Sequence, residues 1–368
     1  MLDTLYGIRP SSRAAALRTL ALVGVLLFGS GCQNIFHGLF APRTTPEDQD
    51  LTSFAEYRQR AATYYDAGDF VRARVQYEKA LELRPNHQAT RLGYAYSLLY
   101  TNTPSALISA RTEFESMQRV KKGLKVKRDY GLAMTYRNLA AAYERRSRNR
   151  GREGLLNESK RDMAVSRDYA RDGKTLFKTV IKEEGRKWSS LKPDAYVGMA
   201  HVDIMLGEFD EAIEYIEKFA AIATEARQFW ERDREMRLAA NPLRDNDPTL
   251  TDRMRVRYTE RILRTTTEEA GIRKILLGTL LYLNRYDEAI AQCNVIMALT
   301  PEDDELLLLR GRAYAILGDY AKGLKDIEAY RDTLDQTRQT DHSVSVSQLI
   351  VAYRDRLEEQ RKAQARDG

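Results

Sequence analysis

Few side chains in this 368-residue sequence are spaced for catalysis or metal binding. Gly173-Lys174-Thr175 matches the last three residues of the phosphate-binding loop motif. However, Asp168 stands where that motif needs its first glycine, and no strand is predicted before it. The acidic run 302–305 begins a predicted helix, where it complements the helix dipole. The histidines are scattered, with no His-Glu-x-x-His pair: His37, His87, His201 and His342. We predict no enzyme, no metal site, no cofactor and no small-molecule substrate.

The residue with the clearest chemical role is Cys32. An arginine-bearing start is followed by the uncharged run Thr19–Phe28, which is shorter than the roughly 20 residues that span a bilayer. Gly29-Ser30-Gly31 then places small residues directly before the cysteine. This stretch resembles a bacterial lipoprotein signal. The resemblance implies a diacylglyceryl group on the Cys32 sulfur, cleavage before Cys32 and a further acyl chain on the freed amine.

Two alternatives to lipidation remain open. Gly29 stands where the lipoprotein pattern usually has Leu, and Gly29 with Gly31 also suits an ordinary secretory cleavage site. An uncleaved signal anchor is the other alternative, although Arg18 interrupts the apolar run. Export is common to these interpretations. In some bacteria an Asp after the cysteine retains such lipoproteins in the inner membrane. Gln33 stands in that place here, so the resemblance favours the periplasmic face of the outer membrane. The second cysteine, Cys293, is predicted to be a small buried residue on an apolar helix face.

A repeated pattern of small and aromatic residues dominates the rest of the chain. In its first occurrence, Gly68-Asp69-Phe70 supplies a turn between two predicted helices. The pattern positions of this unit are Tyr57, Arg60, Ala61, Tyr64, Ala73, Tyr77, Ala80 and Pro85. Related turns recur at Gly207-Glu208-Phe209, at Asn284-Arg285-Tyr286 and, 34 residues later, at Gly318-Asp319-Tyr320. The pattern resembles the tetratricopeptide repeat family.

This resemblance implies an all-α fold, an α-solenoid of about six tetratricopeptide-like hairpins with a C-terminal capping helix. The predicted division has five parts: a signal peptide (1–31), a flexible tether that carries lipidated Cys32 (32–50), the repeat solenoid (51–335), a long helical insertion within it (about 210–264), and the capping helix and tail (336–368).

Members of this family bind partners in a concave groove lined by the first helix of each repeat. The mapped groove positions are Arg58, Tyr65, His201, Ile204, Met205, Lys274, Tyr282, Leu308 and Arg312. This mixed lining suits a protein or peptide partner. The alternative is that some of these positions are packing residues, misphased by one position.

Positive charge is concentrated between Arg119 and Lys187, with 21 Lys or Arg against 9 Asp or Glu. The densest cluster comprises Arg145, Arg146, Arg148, Arg150 and Arg152. It has three interpretations: a solvated loop, a contact with anionic lipid, or a site for an acidic protein. No nucleic acid is expected, because export separates the chain from it and no aromatic residues interleave the cluster.

Two helices are predicted to exceed the normal repeat length, one over Asp210–Ala239 and one from Thr251 onward. Apolar stripes that include Phe229 and Tyr258 are predicted to face each other, which places Trp230, about 100° round the helix, at the surface as a partner anchor. The predicted function is a membrane-anchored protein-binding scaffold of the bacterial envelope. The alternative is a carrier of an apolar ligand, such as a lipid or glycolipid, between the long helices.

Overall fold

The computed structural model describes residues 53–183, 191–239, 248–334 and 341–367. Within these residues it has thirteen α-helices and no strand, which confirms the all-α class. The helices are α1 (Phe54–Asp66), α2 (Phe70–Leu83), α3 (Gln88–Thr101), α4 (Pro104–Ser116), α5 (Lys122–Arg152), α6 (Leu156–Lys182), α7 (Lys192–Leu206), α8 (Phe209–Ala239), α9 (Pro248–Tyr282), α10 (Tyr286–Leu299), α11 (Glu305–Ile316), α12 (Tyr320–Thr333) and α13 (Asp341–Asp367). The predicted signal peptide, Cys32 and the tether lie outside the described residues.

The chain forms two compact units, and the boundary falls within α8, between Phe219 and Ala220. In the N-terminal unit, consecutive helices pair as α1 with α2, α3 with α4, α5 with α6, and α7 with the start of α8. In the C-terminal unit, α9 pairs with α10 and α11 with α12, and α13 packs on α12. The predicted helical hairpins, about six in all, and the capping helix are confirmed over the described residues.

The turns inside the first and the last hairpin share one local geometry. Gly68 and Gly318 take left-handed backbone angles, with φ of 78° and 86°. The next residue caps the second helix: Asp69 accepts the Arg72 N–H at 3.0 Å, and Asp319 accepts the Lys322 N–H at 3.1 Å. A left-handed residue therefore ends one helix, and an aspartate starts the next.

Small residues allow the helices of the N-terminal unit to cross closely. Ala61 and Ala73, two small residues of the repeat pattern, are fully buried. The interfaces between hairpins use glycine instead. A Cβ atom on Gly93 would lie 2.6 Å from the Tyr77 ring, and one on Gly131 would lie 2.5 Å from the Phe114 ring. An aromatic residue on one second helix therefore fills the space that a glycine on the next first helix leaves open.

Helices α5 and α6 are 31 and 27 residues long. Because α5 continues through Arg152, the interpretation of the basic cluster as a loop is wrong. Contacts with α6 hold this extension: the Ser147 hydroxyl donates to the Ser159 carbonyl at 2.7 Å, and Arg146 forms an ion pair with Asp162. The arginine-rich segment has little apolar periodicity of its own, so its helicity depends on these tertiary contacts.

The two predicted long helices are present as α8 and α9, of 31 and 35 residues. The turn between them lies outside the described residues. At the end of the chain, α13 buries Val346, Ile350 and Tyr353 against the last hairpin, as expected of a capping helix. No helix in the described ranges is long and apolar enough to cross a bilayer.

Candidate functional site

The first helices of the N-terminal unit carry several of the predicted groove residues. Arg58 is exposed on α1, where its guanidinium lies 5.9 Å from the centre of the Phe54 ring. Tyr65, at the end of α1, is half-buried, with ring centres 5.4 Å from Phe70 and 6.0 Å from Tyr100. Burial raises the pKa of the Tyr65 hydroxyl. Tyr65 is therefore partly a packing residue that presents one edge of an aromatic cluster.

A row of polar side chains crosses three consecutive first helices. The Asn138 side-chain amide on α5 donates to Asn102 at the end of α3, with 3.2 Å between the atoms. Beside it, Arg137 donates to the Asn138 side chain at 2.9 Å. Arg137 also faces His201 on α7: burial, and then the charge of Arg137, lowers the pKa of that imidazole to about 3. We name Asn102, Arg137, Asn138 and His201 the polar row; its histidine is neutral at pH 7.

The polar row contains residues that the repeat pattern alone did not select. Of its members only His201 was predicted, because no groove position was mapped on α3 or α5. Ile204 and Met205 follow His201 on α7 and are half-buried, and Met205 packs against the core. The sequence does contain one signal that could have indicated the polar row. Arg137 and Asn138 are adjacent polar residues on a first helix.

The predicted groove residues of the C-terminal unit have different surroundings. Lys274 on α9 forms an ion pair with Asp303, and Arg312 on α11 is exposed. Tyr282 is half-buried at the end of α9. Leu308 is only 7% exposed and shares a core cluster with Val346 of α13. Its assignment to the groove is therefore wrong: the capping helix covers that face of α11.

Lys174, from the segment that resembles a phosphate loop, has a structural role. Its ammonium group lies 2.6 Å from Asp203 and also pairs with Glu208. Burial raises the pKa of Asp203 to about 6, although Lys174 acts in the opposite direction. The segment is helical, and its neighbouring cavity of about 530 Å³ is lined by Arg167, Arg171, Lys174, Thr175, Lys178, Leu206 and Glu208. No group of three His, Cys, Asp or Glu side chains in the described part of the chain is placed to hold a metal ion.

The five arginines of the basic cluster are not equivalent. Arg146 and Arg150 both pair with Asp162, at 2.5 and 3.1 Å, and Arg148 pairs with Glu144 at 2.6 Å. The hydrogen bond from Arg146 lowers the pKa of Asp162. The remaining two, Arg145 and Arg152, are exposed and have no carboxylate partner among the residues that the structure describes. Part of the cluster therefore stabilises the α5–α6 pair, and part remains available.

Trp230 lies on the side of α8 that packs against α9. Its ring centre is 6.3 Å from that of Tyr258, and the Arg261 guanidinium lies 4.2 Å from the ring centre. Phe229 is instead 52% exposed. The apolar stripe predicted on α8 is therefore out of phase by about one residue, which is about 100° round the helix. Trp230 is a packing residue, and the exposed aromatic of this pair is Phe229.

Charged and aromatic side chains fill the α8–α9 contact. Glu269 is 2% exposed and accepts hydrogen bonds from Thr224, Arg227 and Arg273, at 2.7, 3.0 and 3.0 Å. These bonds lower the pKa of Glu269 against the opposing effect of burial. This contact is unlike the apolar lining that a lipid carrier needs. No observation on the described residues of α8 and α9 favours the carrier alternative.

Comparison with known proteins agrees with the class that these hairpins define, a helical repeat protein. Residues 54–87, which span α1, α2 and the link to α3, match the tetratricopeptide repeat family. The chain therefore carries a tetratricopeptide repeat, and this prediction is confirmed for its first hairpin. No curated protein matches the sequence.

Several solved structures match the chain at low sequence identity. The P58(IPK) TPR domain is 14% identical, covers 95% of this chain and 99% of its own, and has a TM-score of 0.25. A tetratricopeptide repeat protein from Parabacteroides merdae is 12% identical, with 82% and 98% covered and a TM-score of 0.29. Yeast Tom70 is 12% identical, with 97% and 77% covered and a TM-score of 0.23. At these values the similarities carry no argument about partners.

Proposed function

We propose that this chain is a membrane-anchored scaffold of the bacterial envelope that holds a protein partner on its first helices. The observation that carries the proposal is the polar row of Asn102, Arg137, Asn138 and His201. Three of its members, Arg137, Asn138 and His201, are half-buried, and together they offer amide and guanidinium donors across three adjacent helices. An extended segment of a partner needs such donors and acceptors for its backbone groups. We expect the partner to be a component of an envelope complex whose assembly the scaffold supports.

Photocrosslinking in cells tests where the partner lies. A photoreactive amino acid at position 138 should give a covalent adduct with one envelope protein, because that side chain belongs to the polar row. The matched control is position 109, an exposed serine on the second helix α4. Adducts at position 109 with none at position 138 would place the partner on the opposite layer and contradict the proposal.

The anchor in this proposal is a lipid on Cys32. A thioether-linked diacylglyceryl group supplies two acyl chains, enough for stable attachment where a single chain binds only marginally. Cys32→Ser should move the protein from the membrane fraction to the soluble fraction and abolish labelling with a radioactive fatty acid. Cys293→Ser is the matched control, since this thiol is buried. A wild-type protein that is already soluble and unlabelled would exclude the lipid.

A further inference from the structure

The end of the α5–α6 hairpin is at once strongly basic and apolar. Residues 145–161, named the basic tip, contain seven Lys or Arg and two Glu, a net charge of +5. The chain turns at Gly154, and the next two residues, Leu155 and Leu156, are 44% and 64% exposed. Two adjacent exposed leucines at the end of an arginine-rich hairpin face water at a cost in free energy.

The main chain builds this turn without help from the leucines. The Leu155 N–H donates to the Arg150 carbonyl at 2.8 Å, and the Gly154 N–H donates to the Gly151 carbonyl at 3.3 Å. With Gly154 at φ 81°, these bonds form a Schellman motif that ends α5. The residue after the glycine in this motif often packs on an apolar residue of the last helical turn. Here that turn offers Asn149 and Arg150, so the fold gives Leu155 no apolar partner there.

Contacts between α5 and α6 hold the basic tip in place. The ion pairs of Asp162 and the hydrogen bond between Ser147 and Ser159 join the two helices within the basic tip, below the turn at Gly154. Four exposed cations remain on the tip, and none has a carboxylate partner in the described ranges: Arg145, Arg152, Lys160 and Arg161. The tip therefore combines two apolar side chains at its end with four available positive charges behind them.

We propose that the basic tip docks on an anionic lipid bilayer, with Leu155 and Leu156 inserted below the headgroups and the available cations against the lipid phosphates. A bilayer surface offers a negative layer directly above an apolar one, in the same order as the tip. An acidic protein would match the cations but gives no separate reason for the two leucines. This inference goes beyond the scaffold function, and it does not require a lipid on Cys32.

A polarity-sensitive fluorophore at the tip tests insertion directly. The full chain with Cys32→Ser retains only Cys293, which is buried and whose thiol pKa is raised to about 12 by that burial, so an introduced thiol is labelled selectively. The label goes on Leu156→Cys, with Leu83→Cys, an exposed leucine at the end of α2, as the matched control. The expected result is a blue shift, and quenching by lipid-borne quenchers, at position 156 only and on phosphatidylglycerol vesicles but not on phosphatidylcholine vesicles.

Sedimentation with the same vesicles measures each contribution. Arg152→Gln with Arg161→Gln should weaken binding about 25-fold, at about fivefold for each basic residue, whereas Lys325→Gln with Arg361→Gln should not. Leu155→Ser with Leu156→Ser should abolish insertion and leave thermal unfolding unchanged, because the turn is held by the main chain. A label at position 156 that stays in water on anionic vesicles overturns the proposal. Capture of an acidic protein by the tip, without that shift, would also overturn it.

Discussion

At the scale of single residues, burial decides which ionisable groups respond to pH. His201 has a pKa lowered to about 3, whereas an unfolded histidine titrates near 6.5. Below about pH 6.5 the unfolded chain therefore binds a proton that the folded chain does not. Stability from this site is complete above that pH and declines as the pH falls toward 3.

His201→Gln should remove this pH dependence. Between pH 7 and pH 5 we expect the wild type to lose about 2 kcal/mol of unfolding free energy more than the variant does. Urea unfolding at both pH values, with each protein compared with itself, measures the difference. Parallel losses in the two proteins would show that the imidazole is solvated in the folded state.

Leu308 and Cys293 show the limits of sequence patterns for single residues. The small buried character of Cys293 was predicted correctly, because its helical apolar face is visible in the sequence. Leu308 was misplaced because a distant segment, α13, covers it, and repeat numbering contains no information about that contact. The polar row was only partly predicted, since it depends on which helices become neighbours.

At the scale of helices, turns were predicted more accurately than the contacts between long helices. Gly68-Asp69-Phe70 and Gly318-Asp319-Tyr320 carry their geometry in local residue preferences. By contrast, α5 reaches Arg152 because Asp162 and Ser159 on α6 hold it there. The angular phase of α8 likewise depends on its packing against Tyr258, which the spacing of apolar residues did not resolve.

Trp230 and Phe229 make that phase testable. Trp230→Ala removes a half-buried ring that contacts Tyr258 and Arg261, and it should cost about 2 kcal/mol, roughly half the loss for a fully buried tryptophan. Phe229→Ala, in the adjacent position, should cost less than about 1 kcal/mol, because this ring is largely exposed. Chemical denaturation measures the unfolding free energy of both variants. A larger loss for Phe229→Ala than for Trp230→Ala would contradict the phase of α8 described here and support the phase predicted from the sequence.

At the scale of the whole chain, stability is divided among neighbouring hairpins. Ala73 and Ala289 are fully buried at helix crossings in the N-terminal and C-terminal units, and Ala363 is exposed on α13. Ala73→Arg or Ala289→Arg should cost about 3 kcal/mol or more, because each forces a long cation into a packed crossing, while Ala363→Arg should cost almost nothing.

Hydrogen exchange measures how far along the chain each arginine substitution destabilises the helices. Each hairpin contacts chiefly its neighbours, so loss of protection with Ala73→Arg should concentrate in α1 to α4, and with Ala289→Arg in α9 to α12. Uniform loss of protection along the chain would mean that folding is cooperative across both units. Equal tolerance of arginine at all three positions would contradict the assigned repeat register.

The spacing of the last turns has a consequence for how such a chain grows. Helices α10 and α12 begin at Tyr286 and Tyr320, 34 residues apart, and the residue before each start has closely similar backbone angles, with φ of −85° at both and ψ of 67° and 68°. A tandem duplication of residues 286–319 would therefore join its copies at a turn whose geometry already exists in the chain. The chain could therefore gain a whole hairpin without a new type of turn. The capping helix α13 would keep its place at the end and would still cover the last apolar face.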